Sequence, residues 1–350
     1  MAETSWIRRE GSKTRGFRYV AANGKAVRDR AALARIDALR VPPAWRDVHI
    51  APSARSAIQA WGFDARGRKQ YRYNGRAVEL RELRKYHRVR RLAKELPRIR
   101  KRLRADARPT LATSRLDDRA VAATVLRLIS ETFCRVGGER YLKENGTFGI
   151  TTLRKSHVTI EKGVATLAYR GKGSITQRQV VTDAELVRLI GRQMKTPGAR
   201  LFQFRCDDRW APISATDVNA YLQRQVGGRY SAKDFRTWGG TLRAATVLAE
   251  LPPASSPSEA KRNVALAMRL VSAELGNTPT ICRKSYVHPM VIARYLDHGE
   301  TISLPRARRK AADRGRAHSP EERALIAFLD EHFPDRRRRP RSGEGSSFKA

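Results

Sequence analysis

The sequence predicts an α+β protein: a small N-terminal antiparallel β-sheet domain over residues 1–89, a larger and mainly helical domain over residues 90–333, and a basic, disordered tail over residues 334–350. Two hairpin signals in the first quarter predict the sheet. Segments with apolar residues at helical spacing, many opened by a capping residue, predict the helical remainder. At 350 residues the chain is long enough to build two cores.

The first hairpin signal is Gly16-Phe17-Arg18-Tyr19-Val20 followed by Asn23-Gly24, a pair that supplies the positive φ angles of a tight turn. Residues 31–39 read as a short helix stopped before Val41-Pro42-Pro43. The second hairpin has arms at residues 56–61 and 68–73, joined through Asp64-Ala65-Arg66-Gly67. Alternation puts Lys69, Tyr71 and Tyr73 on one face of its second arm, with Gln70 and Arg72 on the other. Residues 79–104 carry many cations with spaced leucines and predict a helix across the domain boundary, expected near Val89. The next helix starts at Asp117 or Asp118, where a carboxylate favours the positive end of the dipole. It carries Val121, Val125, Leu128, Ile129 and Phe133 at helical spacing and is expected to end at Gly137-Gly138, leaving Arg135 at its terminus.

Residues 149–152, 156–160 and 165–169 read as short strands, with Lys172 on the turn beyond the last of them. Helices are expected at residues 183–194, 215–225, 234–250, 257–275, 279–286 and 289–298. Ser231 and Asp234 form a capping box, Gly276 a C-cap, and Thr278-Pro279 an N-cap followed by proline at the first helical position. Ser319-Pro320-Glu321-Glu322 opens a last helix with Leu325, Phe328 and Leu329 on one face, and Arg336-Arg337-Arg338-Arg339 lies in the tail.

The 72 basic and 34 acidic side chains leave a formal charge of +38. A field of that sign attracts polyanions. Because the cations run through the whole chain and not along one amphipathic segment, DNA or RNA is a better partner than a membrane surface. No apolar run approaches the ~20 residues that cross a bilayer. Cys134, Cys206 and Cys282 stand far apart and form no Cys-x-x-Cys pair, so neither a disulfide framework nor a zinc knuckle is expected, and a cytoplasmic setting is. The seven histidines are scattered, and there is no His-Glu-x-x-His or Gly-Lys-Ser/Thr phosphate loop. The sequence therefore predicts no metal site and no nucleotide cofactor.

Within Leu275-Gly276-Asn277-Thr278-Pro279-Thr280-Ile281-Cys282-Arg283-Lys284-Ser285-Tyr286-Val287-His288-Pro289, a tyrosine follows a polar loop by a helical turn or two. A phenol in a strongly cationic protein can attack a phosphodiester. Such an attack needs donors for the two nonbridging oxygens and a proton for the departing one. Arg135 and Arg236 suit the first task, since a planar, permanently charged fork binds phosphate at two points. Lys172, between Gly171 and Gly173, suits the second. Taken singly, each is an ordinary surface arginine, turn lysine or core tyrosine; together they form a dispersed active site.

At these residues the chain resembles the type IB DNA topoisomerases of the poxvirus-like bacterial group, up to about His298. The resemblance is carried by Arg135-Val136-Gly137-Gly138-Glu139-Arg140-Tyr141, by Gly149-Ile150-Thr151-Thr152-Leu153-Arg154-Lys155-Ser156-His157-Val158, by residues 233–240 and by residues 275–289. It implies the topoisomerase and tyrosine recombinase fold for the helical domain. It also implies Arg135, Arg236 and Asn277 as donors to phosphate oxygens, Lys172 as general acid with Arg135 assisting, and Tyr286 as nucleophile. Lys233 matches a lysine near the scissile phosphate. Gln70, Tyr71 and Tyr73 match a hairpin that enters the DNA groove, and Tyr141 a contact to the DNA backbone. The implied partner is duplex DNA, relaxed by a monomer in the nucleoid without ATP or metal. Gly138 stands where relatives carry Asn or Lys, Tyr169-Arg170-Gly171-Lys172-Gly173-Ser174 differs from a Gly-Lys-Ser-Gly ending, and Asn277 replaces the histidine of viral members. An amide still donates to a nonbridging oxygen.

Two alternatives share some of these features. A tyrosine recombinase uses the same Arg, Lys, Arg, Tyr logic, but usually with His-x-x-Arg where this chain has Lys233-Asp234-Phe235-Arg236, and Leu-Gly-His where it has Leu275-Gly276-Asn277. A nonenzymatic DNA-binding protein would need only the charge.

Overall fold

The computed structural model describes residues 6–113, 116–228, 230–304 and 317–334. The chain forms two compact units, Met1–Lys85 and Tyr86–Ala350.

The first unit is built on a five-stranded antiparallel sheet in the order β2-β1-β3-β4-β5, with β1 at Ile7–Ser12, β2 at Gly16–Val20, β3 at Arg46–Ile50, β4 at Ile58–Phe63 and β5 at Lys69–Tyr73. Helix α1 (Arg30–Ala38), capped by Asp29, contributes Ile36 to a small core with Ile7, Val48, Ile50 and Ala60. The Asn23-Gly24 hairpin is a correction. That turn closes a single bridge, Val20 to Ala26, whereas β2 makes its ladder with the preceding β1. Strands β1 and β3 escape the sequence pattern because Ile7-Arg8-Arg9-Glu10-Gly11-Ser12 holds one core residue and Arg46-Asp47-Val48-His49-Ile50 is broken by a register shift between Arg46 and His49. The hairpin of β4 and β5 forms as expected.

Helix α2 (Gly75–Ala107) runs through the division between the units without a break. Its second-unit portion buries Val89, Leu92, Ala93, Leu96, Ile99 and Leu103, the three-and-four spacing of one helical face. Short α3 (Pro109–Thr113) leads to α4 (Asp118–Thr132), N-capped by Asp117 and buried continuously from Ala120 to Ser130. Arg127 can sit inside because it donates to Asp183 at 3.0 Å and Glu185 at 3.1 Å. After α5 (Glu139–Asn145) comes a three-stranded antiparallel sheet, β6 (Val158–Glu161), β7 (Val164–Arg170) and β8 (Thr176–Val181). Helix α6 (Ala184–Met194) and the β9 (Gln203–Cys206) and β10 (Arg209–Pro212) hairpin follow. Helices α7 (Ala215–Val226), α8 (Ala232–Glu250), α9 (Pro257–Leu275), α10 (Pro279–Ser285), α11 (Pro289–His298) and α12 (Pro320–His332) complete the unit.

Three further expectations are corrected. Helix α4 ends at Thr132, with Phe133 left-handed, and not at Gly137-Gly138. Residues 150–152 form a 3-10 turn and not a strand, since Ile150 and Thr151 spend their N–H groups on the carbonyls of Arg135 and Val136. Residues 155–157 form another such turn, delaying the expected strand until Val158. The arginine run at 336–339 lies outside the described residues.

Glu322 fastens α12 to the core. Its carboxylate accepts from Arg100 at 2.7 and 2.9 Å and from the Trp238 indole at 3.3 Å while only 3% exposed. Burial opposes the charged form, but the Arg100 hydrogen bonds and charge outweigh it and hold the carboxyl below its ordinary value. Glu322→Ala should cost about 3–5 kcal/mol in urea denaturation at neutral pH, because it strands a half-buried guanidinium. A depressed carboxyl stabilises the fold above its unfolded pKa and loses that contribution as pH falls through the folded one. The gap between variant and wild type should therefore narrow below pH 4.5, the ordinary glutamate value.

Candidate active site

Two close backbone crossings set the frame on which the side chains of the site stand. Gly137, at φ 95°, lies against Gly149 so closely that a β-carbon on Gly149 would stand 2.5 Å from Gly137 Cα. Ile150 N–H donates to Arg135 O at 2.9 Å and Thr151 N–H to Val136 O at 2.7 Å, so the two glycine-containing motifs are one packed unit that fixes the backbone of Arg135. The second crossing is on α8. A β-carbon on Gly239 would meet the Phe133 ring at 2.2 Å, and one on Gly240 would meet Tyr286 O at 2.9 Å. These glycines admit the ends of the two segments that carry Arg135 and Tyr286.

Arg236, 3% exposed on α8, donates to the carbonyl of Leu275 at 2.9 Å and also to that of Phe133. Arg135 donates to Leu275 O at 3.4 Å, to Gly276 O at 3.1 Å and to Asn277 Oδ1. The C-cap of α9, with Gly276 at φ 58°, thus turns its carbonyls toward both guanidinium groups and orients them. Asn277 Nδ2 is buried with no hydrogen-bond partner, as is Arg236 Nε. Two adjacent cations and an orphaned amide make an anion site, since an unpaired buried donor is costly until an oxygen reaches it.

Tyr286 is the C-cap of α10, held by its N–H on Cys282 O at 2.9 Å and by Thr241, which donates Oγ1 to Tyr286 O at 3.2 Å and accepts from His288 N–H at 3.0 Å. Arg236 Cζ lies 5.1 Å from the centre of the Tyr286 ring. Burial alone would raise this phenol's pKa, but the charge and hydrogen bond of Arg236, followed by Arg135 and Lys233, outweigh it and bring the pKa below the ordinary 10.0. Tyr169, on β7, also faces the two arginines, yet burial and then its contact with Cys134 push its phenol upward. The environment therefore selects Tyr286 as the more acidic of the two. Burial first, and then the neighbouring Arg236 charge, lower the Arg135 pKa.

Arg135, Arg236, Asn277, Lys233 and Tyr286 are thus brought together. Lys172 is not part of that contact set: it opens the 3-10 turn Lys172–Ser174 and is exposed. Among the described residues it makes no hydrogen bond or ion pair. Tyr141 is 58% exposed on α5. In the first unit, Tyr71 and Tyr73 stack at 5.8 Å on the outer face of β5, 39% and 42% exposed, with Arg81 Cζ 4.9 Å from the Tyr73 ring. Gln70 faces the other way, its amide donating to Asp64 at 2.9 Å. Thr241, which hydrogen-bonds the Tyr286 carbonyl, and Phe133, whose ring packs on Gly239, carried no functional signal in the sequence beyond the glycine pair on α8. Among the described residues no group of three His, Cys, Asp or Glu could hold a metal ion, and no helix is long and apolar enough to cross a membrane.

Residues 74–311 match the family described as eukaryotic DNA topoisomerase I, catalytic core, and residues 16–64 match that described as bacterial DNA topoisomerase IB, N-terminal domain. The DNA topoisomerase 1B of Acanthamoeba polyphaga mimivirus is 33% identical over 275 residues, 76% of this chain and 80% of that protein. The DNA topoisomerase 1B of vaccinia virus (strain Copenhagen) is 24% identical over 241 residues, 67% of this chain and 72% of that protein. Among solved structures, the site-specific recombinase XerH in a post-cleavage complex with palindromic difH substrate is 17% identical, covering 49% of this chain and 42% of that one at a TM-score of 0.33. A likeness that low favours neither reading.

Proposed function

The chain belongs to the DNA topoisomerase IB family, and from that premise we propose that it relaxes supercoiled duplex DNA by cutting one strand, letting it rotate and resealing it. The Tyr286 oxygen attacks the phosphorus and its proton leaves to water. The bond from phosphorus to the 5′ oxygen breaks, and that oxygen takes a proton from Lys172 to become a free hydroxyl. The 3′ phosphate stays on Tyr286, so the energy of the broken diester is retained for the reverse attack. Arg135, Arg236 and Asn277 Nδ2 hold the nonbridging oxygens, where charge builds in the transition state. Lys233 supports the same phosphate.

The observation that carries this reading is the convergence of two oriented guanidinium groups and an unpartnered amide on the more acidic of two nearby tyrosines. Tyr141, and in the first unit Gln70, Tyr71 and Tyr73, are proposed contacts to DNA. Nothing in this scheme requires nucleotide, metal or a second copy of the chain. Incubating supercoiled plasmid with the protein in EDTA and without nucleotide should yield relaxed circles. Supercoils that persist with folded wild-type protein would reject the proposal. Binding should weaken steeply with salt, as phosphate contacts release counterions.

A further inference from the structure

Gln177, on β8, touches both loops to which the leaving group and the phosphate have been assigned. It is 6% exposed and pairs across the sheet with Tyr169. Its side chain lies against two glycine backbones. A β-carbon on Gly171 would stand 2.7 Å from Gln177 Cγ, and one on Gly276 would stand 2.0 Å from Gln177 Nε2 and 2.4 Å from Oε1. Gly171 precedes Lys172, and Gly276 precedes Asn277. Two residues further along the same face of β8, Gln179 Nε2 donates to Glu274 O at 3.4 Å, so this face is fastened to the last turn of α9.

We propose that Gln177 is a positioning residue that holds the Lys172 turn in register with the corner at Gly276 and Asn277. It sets the proton donor and the phosphate donors on one frame, an inference that rests on Lys172 being that donor. Gln177 acts by shape: among the described residues its side chain makes one hydrogen bond, from Nε2 to Thr176 O at 3.3 Å, within its own strand. The turn is closed by Gly171 N–H on Ile175 O at 2.8 Å and by Arg170 on Ser174 Oγ at 2.6 Å, but glycine on both sides of Lys172 leaves the lysine's own backbone free to shift between those closures. Once the brace is removed, the lysine wanders from the departing oxygen, and a displacement near 1 Å costs about a hundredfold in rate.

Single-turnover cleavage by the full chain of two duplex substrates, one with oxygen and one with sulfur at the 5′ bridging position, tests this. A thiol, with a pKa of about 8.5, departs as thiolate without being protonated, so only the oxygen substrate needs the acid. Gln177→Ala should slow the oxygen substrate about a hundredfold while cleaving the sulfur substrate near the wild-type rate and binding DNA unchanged. Gln177→Met, which keeps length and packing, should restore most of the loss. Equal slowing on both substrates, or slowing on neither, overturns the proposal. Lys172→Ala separates inference from premise. If sulfur fails to rescue it, the Lys172 assignment falls and the inference with it; if sulfur rescues Lys172→Ala but not Gln177→Ala, the inference alone falls.

Discussion

Tyr286→Phe is expected to abolish DNA cleavage, lowering the rate by roughly 10⁴-fold or more, as loss of a covalent nucleophile does, while leaving noncovalent binding almost unchanged. The ring keeps its place because its backbone N–H on Cys282 O, its carbonyl on Thr241 and the Arg236 guanidinium beside its face do not depend on the hydroxyl. The hydroxyl alone is lost. Nearby Tyr169 should not substitute, since its phenol is raised by burial and by Cys134. Denaturant-resistant protein–DNA adducts, counted with wild type and variant at equal occupancy, measure the effect.

The second large effect is expected at Arg236. Arg236→Gln should lower the cleavage rate by about 10²–10³-fold, the usual loss of one donor to a charged transition state. It should also move the pH profile. Arg236 is the strongest of the charges that hold the Tyr286 phenol below its ordinary value, so its removal raises that pKa. The alkaline rise of the cleavage rate then shifts to higher pH. Arg236→Lys separates the two roles, for it keeps the positive charge and most of the shift but cannot donate to Leu275 and Phe133 together as the planar fork does. Single-turnover rates across pH for the three proteins resolve charge from geometry.

Much of this site was legible because its chemistry sits at caps and glycines, which leave local marks in a sequence. Gly276, Thr278-Pro279 and the box of Ser231 with Asp234 fix where α9 ends and where α10 and α8 begin; Asn277 follows the first of these ends, Tyr286 caps the far end of the short α10, and Arg236 lies in the first turns of α8. The capping carboxylate of Asp234 also accepts from Arg88 at 2.9 Å, a contact 146 residues distant that no local pattern encodes. Arg135 was expected at a helix terminus and instead lies beyond Phe133, because a non-glycine residue took the left-handed cap. The 3-10 turn at Ile150–Thr152 read as a strand because its β-branched residues suit either form, and tertiary hydrogen bonds to Arg135 and Val136 decided between them. The β9 and β10 hairpin escaped because Gln203–Cys206 and Arg209–Pro212 are short and bury little. Gln177 had no signal at all: its role depends on two glycines that approach it only in the folded chain.

Trapping the covalent adduct and mapping its linkage tests the central claim most directly. The account predicts a single DNA-bearing peptide, attached through Tyr286 to the 3′ phosphate, with a free 5′ hydroxyl on the other end of the nick. Attachment to a 5′ phosphate, or through any residue other than Tyr286, would contradict it.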